Sequence, residues 1–178
     1  MGSIIDKTVI SEIGEWTGNT SGFTFSGANI TGKASVTAAI KSVDTFTGDF
    51  TFRVTCTGNT ATDDHNWVFG VYEIDEDGSF TDTDQSGDMN LMTDSYWVRG
   101  YSSDIITSHG GSTDGSPSGG ISVDDVFQLI RTSGTFSLKR NDSVILTWGN
   151  TSSNEVRLAI AGSGGVIETY EDVSWTPQ

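Results

Sequence analysis

Apolar residues in this chain recur at every second position. Phe50, Phe52, Val54 and Cys56 point one way, while Thr51, Arg53 and Thr55 point the other. The alternation returns at Trp67, Phe69 and Val71, at Phe136 and Leu138, at Val144, Leu146 and Trp148, and at Val156, Leu158 and Ile160. A period of two is that of a half-buried strand, with one face to the core and one to solvent. The pattern predicts early strands at Ile4–Ile10, Gly22–Ile30, Ala34–Val43, Asp49–Cys56, Asn66–Ile74 and Tyr96–Ser102. A meander follows at Val126–Thr132, Thr135–Arg140, Ser143–Trp148, Glu155–Ala161 and Val166–Trp175. Ser133-Gly134 and Asn141-Asp142 are two-residue links of the kind that tight hairpins prefer. About eleven strands with turn signals at short intervals predict an all-β fold, a two-sheet antiparallel β-sandwich forming one domain over residues 1–178.

Two stretches break this rhythm. Glu76–Asp94 is acidic and turn-rich, and Ser103–Gly120 is loaded with Gly, Ser and Asp. Both are expected to be long loops, where function usually sits on a rigid β scaffold.

Composition agrees with many short strands and turns: 22 glycines and two prolines in 178 residues. No apolar run approaches the roughly 18 residues of a membrane span. The net charge of −15 repels nucleic-acid phosphate and anionic membrane surfaces, so neither is an expected partner. Cation binding, a basic protein partner or a solvated acidic surface are the readings left. Against so few basic residues, Arg53, Arg99, Arg131, Arg140 and Arg157 stand out. Cys56 is the single cysteine, which excludes an intrachain disulfide, and its place on an apolar face predicts a small buried hydrophobe. Met1–Asp6 has neither a basic nor an apolar stretch, so no secretory signal is expected there.

The run Asp125-Val126-Phe127-Gln128-Leu129-Ile130-Arg131, then Gly134–Leu138, then a turn and Val144–Leu146 resembles the central meander of concanavalin A-like lectin/glucanase domains. Ile167-Glu168 to Val173-Ser174-Trp175 resembles their last strand, and Asp49–Val54 and Trp67–Val71 resemble early ones. The resemblance covers most of residues 45–178 and rests on hydrophobic and turn positions. It implies jelly-roll topology. Such modules serve as lectins, glucanases, carbohydrate-binding modules and parts of phage tail fibres and capsid surfaces.

Three groups of residues are candidates for chemistry. Glu73-Ile74-Asp75-Glu76-Asp77 is similar to the Glu-x-Asp-x-Glu strand of retaining glucanases, and a strand would put Glu73, Asp75 and Asp77 on one face. Asp77 is a methylene shorter than the glutamate the family uses, and Gly78 reads as the start of a turn. Asp82, Asp84 and Asp88, with Gly87 between them, resemble the start of a calcium loop that lacks its bidentate glutamate, because Thr93 stands there. Trp97, Arg99 and Tyr101 alternate onto one face, as an aromatic sugar platform with a guanidinium for hydroxyls would. The opposing expectation for each aromatic is simple core packing, and it applies also to Trp16, Trp67, Trp148 and Trp175. His65 and His109 have no second ligand at a metal-like spacing.

The sequence thus predicts a non-catalytic surface module. Its expected setting is a phage virion, as capsid decoration or as a tail fibre or receptor-binding piece within a protein lattice, with homo-oligomerisation and calcium binding as accompanying possibilities. The first alternative is a free or extracellular carbohydrate-binding module that uses Trp97, Arg99 and Tyr101. The second is a small β-glucanase that uses Glu73 and Asp75.

Overall fold

The structure, a computed structural model, describes residues 11–12, 15–33, 38–58, 67–81, 92–100, 105–110, 112–115, 119–162 and 168–178. The first strands are β1 Ser11–Glu12, β2 Trp16–Gly18, β3 Phe23–Ser26, β4 Asn29–Gly32 and β5 Ala38–Ser42. Next come β6 Phe50–Gly58, β7 Trp67–Glu73, β8 Ser95–Gly100, β9 Ile105–His109 and β10 Ser112–Gly115. The chain closes with β11 Asp125–Thr132, β12 Thr135–Arg140, β13 Ser143–Thr151, β14 Val156–Gly162 and β15 Glu168–Pro177.

These strands build two antiparallel sheets. One runs in the order β13-β12-β11-β6-β15-β4-β3, with β1 also on β15; the other runs β10-β9-β8-β7-β14-β5-β2. The fold is the expected concanavalin A-like jelly-roll sandwich. The inner faces meet in one core, to which β6 contributes Phe50, Phe52, Val54 and Cys56, all essentially inaccessible. Across from them stand Phe69, Val71, Val98, Leu158 and Ile160 of the second sheet. Each such side chain removed from water contributes about 1.5–3 kcal/mol, which lets the fold do without a disulfide. Burial, with the nearby Asp125 carboxylate second, pushes the Cys56 thiol well above its usual range. Trp148 joins this core, with Trp16 and Trp175 packed on its margin.

Local geometry follows the turn chemistry. Ser133 and Gly134 have φ of +49° and +80°, Asn141 and Asp142 +49° and +66°. Positive φ at both central residues is the type I′ turn, whose twist matches that of the strands it joins. The β12–β13 turn is also anchored from the side. Asn141 donates to Asp125 Oδ1 at 2.8 Å, and Arg140 donates to Asp125 Oδ2 at 2.5 Å. Burial would raise the Asp125 carboxyl, but the bonds from Arg140, the Ser122 amide and Asn141 outweigh it and hold the group below the usual carboxylate value.

Three sequence expectations are corrected or refined. Gly22–Ile30 is a hairpin, β3 and β4 turning at Gly27, where φ is +57°. The Ser103–Gly120 stretch contains the paired strands β9 and β10, because serine and threonine also suit an extended backbone. The strand expected to continue through Ile74 ends at Glu73: the Ile74 amide bonds to Glu155, and Ile74–Ser79 is a 3-10 helix. Ile4–Ile10 lies outside the described residues.

The second sheet is also covered on its outer side. Ala39, Val68, Tyr72, Met92, Trp97, Ala159 and Ala161 form a separate buried cluster, with Phe80 packed against it. Gly70 makes room for this layer, since a Cβ there would stand 2.6 Å from the Cβ of Trp97.

Candidate functional site

The end of β7 brings polar side chains to one end of the sandwich. Glu73 shares the inward side of its strand with Phe69 and Val71, so it stands at the limit of the core, 3 % exposed. Its amide donates to Asp94 O at 2.9 Å, which sets the end of β7 beside the start of β8. Tyr96, two residues on, also faces inward. Its ring stacks on Phe136 at 3.8 Å between centroids and meets Trp148 edge-on at 5.6 Å. From the opposite sheet, the end of β13 and the turn after it bring Asn150 to Asn154. Glu73, Asp75, Asp94, Tyr96 and Asn150–Asn154 together line an open cleft of about 330 Å³.

The cleft rests on a buried cation. Arg131, fully buried on β11, donates to the carbonyls of Gly48 at 2.7 Å, Asn154 at 2.6 Å and Phe46 at 3.5 Å. Its guanidinium lies over Phe50 and Phe136, at 4.7 and 5.7 Å from the ring centroids. Burial draws the Arg131 pKa down, against the opposing charges of Asp49 and Glu73. The Glu73 carboxylate accepts through Oε2 from Asn154 Nδ2, so one asparagine serves both groups: its carbonyl takes Arg131 and its side chain takes Glu73. Burial first, and the charges of Glu73, Asp94 and Asp114 after it, push the Tyr96 hydroxyl up to about 12. Tyr96 is therefore a neutral hydroxyl at ordinary pH. At the mouth, Asn150 Nδ2 lies 3.2 Å from Nδ1 of His109, which packs on Tyr96 at 4.7 Å.

The proposed carboxylate strand is not a strand. Glu73 and Asp75 both reach the cleft, but Asp75 does so from the 3-10 helix, and Asp77 is directed elsewhere. Asp77 pairs with Lys41 at 2.6 Å and Arg157 at 3.2 Å and accepts from Tyr72 Oη at 2.6 Å. Partial burial works against its charge, but these bonds and cations prevail and hold its carboxyl below the usual range. Asp77 fastens the segment over the outer face of the sheet.

The alternation of β8 is as expected, Tyr96 and Val98 inward, Trp97 outward. The outer face is covered there, and at 3 % exposure the Trp97 ring has no open side on which a sugar could stack. Arg99 is half-buried. Tyr101 and the expected calcium ligands Asp82, Asp84 and Asp88 lie outside the described residues. Among the described residues, no three His, Cys, Asp or Glu side chains are gathered to hold a metal ion. The cleft itself escaped sequence reasoning beyond Glu73 and Asp75. Asn150 and Asn154 are a polar run after a strand, with nothing in their spacing to tie them to Glu73.

No protein-family model matches the chain, and no curated protein matches it either. Solved structures do match in fold. The carbohydrate-binding module CBM66 from Bacillus subtilis aligns with a TM-score of 0.54 at 13 % identity, over 96 % of this chain and 97 % of that one. The carbohydrate recognition domain of Emp46p, in a potassium-bound form, aligns with a TM-score of 0.63 at 8 % identity, over 90 % of this chain and 87 % of its own. A Bacillus licheniformis β-glucanase aligns with a TM-score of 0.53 at 7 % identity, over 91 % and 85 %. At these identities the likeness is one of fold.

Proposed function

We propose that this protein is a non-catalytic carbohydrate-binding module whose ligand enters the cleft between the sheet ends. The observation that carries this reading is the lining of the cleft: three carboxylates, two asparagines, a run of hydroxyls and one neutral tyrosine converge from both sheets on a space of about 330 Å³. Sugar hydroxyls both donate and accept, and amides, hydroxyls and carboxylates placed by a rigid scaffold answer both needs. The fold neighbours that are a carbohydrate-binding module and a carbohydrate recognition domain support the same reading.

Catalysis is the weaker use of this site. Glycoside cleavage by paired carboxylates needs an acid and a base or nucleophile held on either side of the scissile bond. Asp77, the third member of the expected set, is committed to Lys41 and Arg157. A contiguous apolar face would mark a surface for assembly. Among the described residues, the exposed large apolar side chains are Phe25, Val43, Val123 and Val144, and Phe25 and Val144 lie on opposite edge strands of one sheet.

A glycan array tests the proposal. The protein should retain a defined set of oligosaccharides, and Asn150→Ala with Asn154→Ala should abolish retention while the far-ultraviolet spectrum is kept. Release of reducing sugar from a retained glycan would replace binding by hydrolysis, and retention unchanged in the double variant would place the site elsewhere.

A further inference from the structure

Glu73 is a carboxylate with half its hydrogen-bonding capacity in use. Oε2 takes the Asn154 side chain, while Oε1 has no hydrogen-bond partner among the described residues, although the side chain is 97 % removed from solvent and lines the cleft. The little of Glu73 that stays accessible opens on the cleft, and an oxygen with no protein partner there is a ready acceptor for whatever enters. Asp75 and Asp94 line the same space, which gives the lining a formal charge of −3. The nearest cation, Arg131, is turned away, with three backbone carbonyls on its guanidinium. The lining thus offers acceptors and negative charge, and its charged groups present no cation for an anionic ligand. The three carboxylates surround a volume far larger than a bare ion needs, and they are not gathered as a metal site.

We infer that the cleft selects a sugar bearing a free primary ammonium group, a 2-amino-2-deoxy hexose unit, with the ammonium on Glu73 Oε1 and the ring hydroxyls on Asn150, Ser152 and Ser153. This rests on the reading of the cleft as a glycan site. Protonated, the amine has three donors and a full positive charge, so it satisfies Oε1 and draws on the Asp75 and Asp94 field at once. An N-acetylated sugar loses the charge, and a uronate meets like charge.

Calorimetric titration in mildly acidic buffer tests the assignment with four probes of equal length: glucosamine oligomers, their N-acetylated forms, cello-oligomers and oligolysine. The glucosamine oligomer should bind at least about ten-fold more tightly than the N-acetylated and cello forms, the range of a charge-assisted hydrogen bond. Glu73→Gln and Asp75→Asn should each remove most of that preference. Asp142→Asn, which deletes one charge at an exposed hairpin tip, should leave it intact. Equal binding of amino, acetylated and cello oligomers, still lost in Asn154→Ala, would overturn the ammonium assignment and leave the glycan site standing. No binding of any oligosaccharide would overturn both. An equal loss in Asp142→Asn would reduce the preference to the overall charge of the protein, and oligolysine binding as tightly with the same Glu73 dependence would make the ligand a peptide amine; either result overturns the assignment.

Discussion

The hydroxyl of Tyr170 reaches the backbone of Val68 in the opposite sheet, accepting from its amide at 2.9 Å while donating to the Ala161 carbonyl at 2.8 Å. A side chain from β15 thereby ties itself to the β7–β14 ladder, at the register point where Val68 faces Ala161. Tyr170→Phe keeps the ring and its packing but leaves buried polar groups without their partner. The expected loss is about 1–3 kcal/mol. Urea unfolding checks this as a lower midpoint with an unchanged slope.

Gly70 and Trp97 define a second close approach. A Cβ at Gly70 would lie 2.4 Å from Tyr96 O and 2.7 Å from Trp97 Cα, both parts of the neighbouring strand's backbone. Gly70→Ala should therefore cost about 1–3 kcal/mol, as overpacking does, despite the better strand propensity of alanine. The tryptophan emission spectrum should shift with it, because the displaced strand carries Trp97. Gly78→Ala, with open space around it, serves as the neutral comparison.

Stability should fall on both sides of neutrality, for two different reasons. The Asp125 and Asp77 carboxyls are held below their ordinary value of 3.8 in the folded chain. The unfolded chain therefore takes up protons first as pH drops, so their contribution is complete above that value and is lost as pH falls through the folded pKa. Tyr96 behaves oppositely. Its folded pKa is raised from 10 to about 12, so the stability it contributes is present below 10 and is lost as pH rises toward 12. Thermal melts across pH should show the alkaline loss diminished in Tyr96→Phe and the acid loss diminished in Asp125→Asn. The second variant starts from a lower plateau by about 2–3 kcal/mol, because Arg140 loses its charged acceptor and the new amide N–H faces one of the donors Arg140, Ser122 and Asn141.

Cys56 should be inert to thiol reagents in the folded protein. It is fully buried, and its thiolate is disfavoured by burial and by Asp125. A chromogenic disulfide should react with one thiol per chain in denaturant and with essentially none without it.

The strand faces were legible in the sequence where one side meets the core and the other meets water, as at Phe50–Cys56 and Phe136–Leu138. The hairpins at Ser133-Gly134 and Asn141-Asp142 were legible from turn chemistry. Trp97 was harder. Alternation gave its side correctly, but no local pattern announces that a sheet will be covered on both faces. The signal that could have helped is the small residues Ala39, Gly70, Ala159 and Ala161, which clear space for a second layer. β9 and β10 were lost among serines and glycines because their pairing with β8 and with each other is tertiary. The cleft was least legible. Glu73, Asp94 and Asn154 meet only because the ends of β7, β8 and β13 arrive at the same corner, and sequence distance carries no trace of that.

The bonds of Arg131 bear on how this scaffold can be re-engineered. One guanidinium holds the carbonyls of Phe46, Gly48 and Asn154, so two surface loops hang on a single interior peg. A library that inserts, deletes or kinks residues 150–154 to redirect specificity would shift the Asn154 carbonyl off that peg and, through it, disturb the 46–48 turn. Variation of Asp75 and Asp94, which approach the cleft from the other sheet, leaves the peg untouched. Diversity introduced there should be tolerated far more widely.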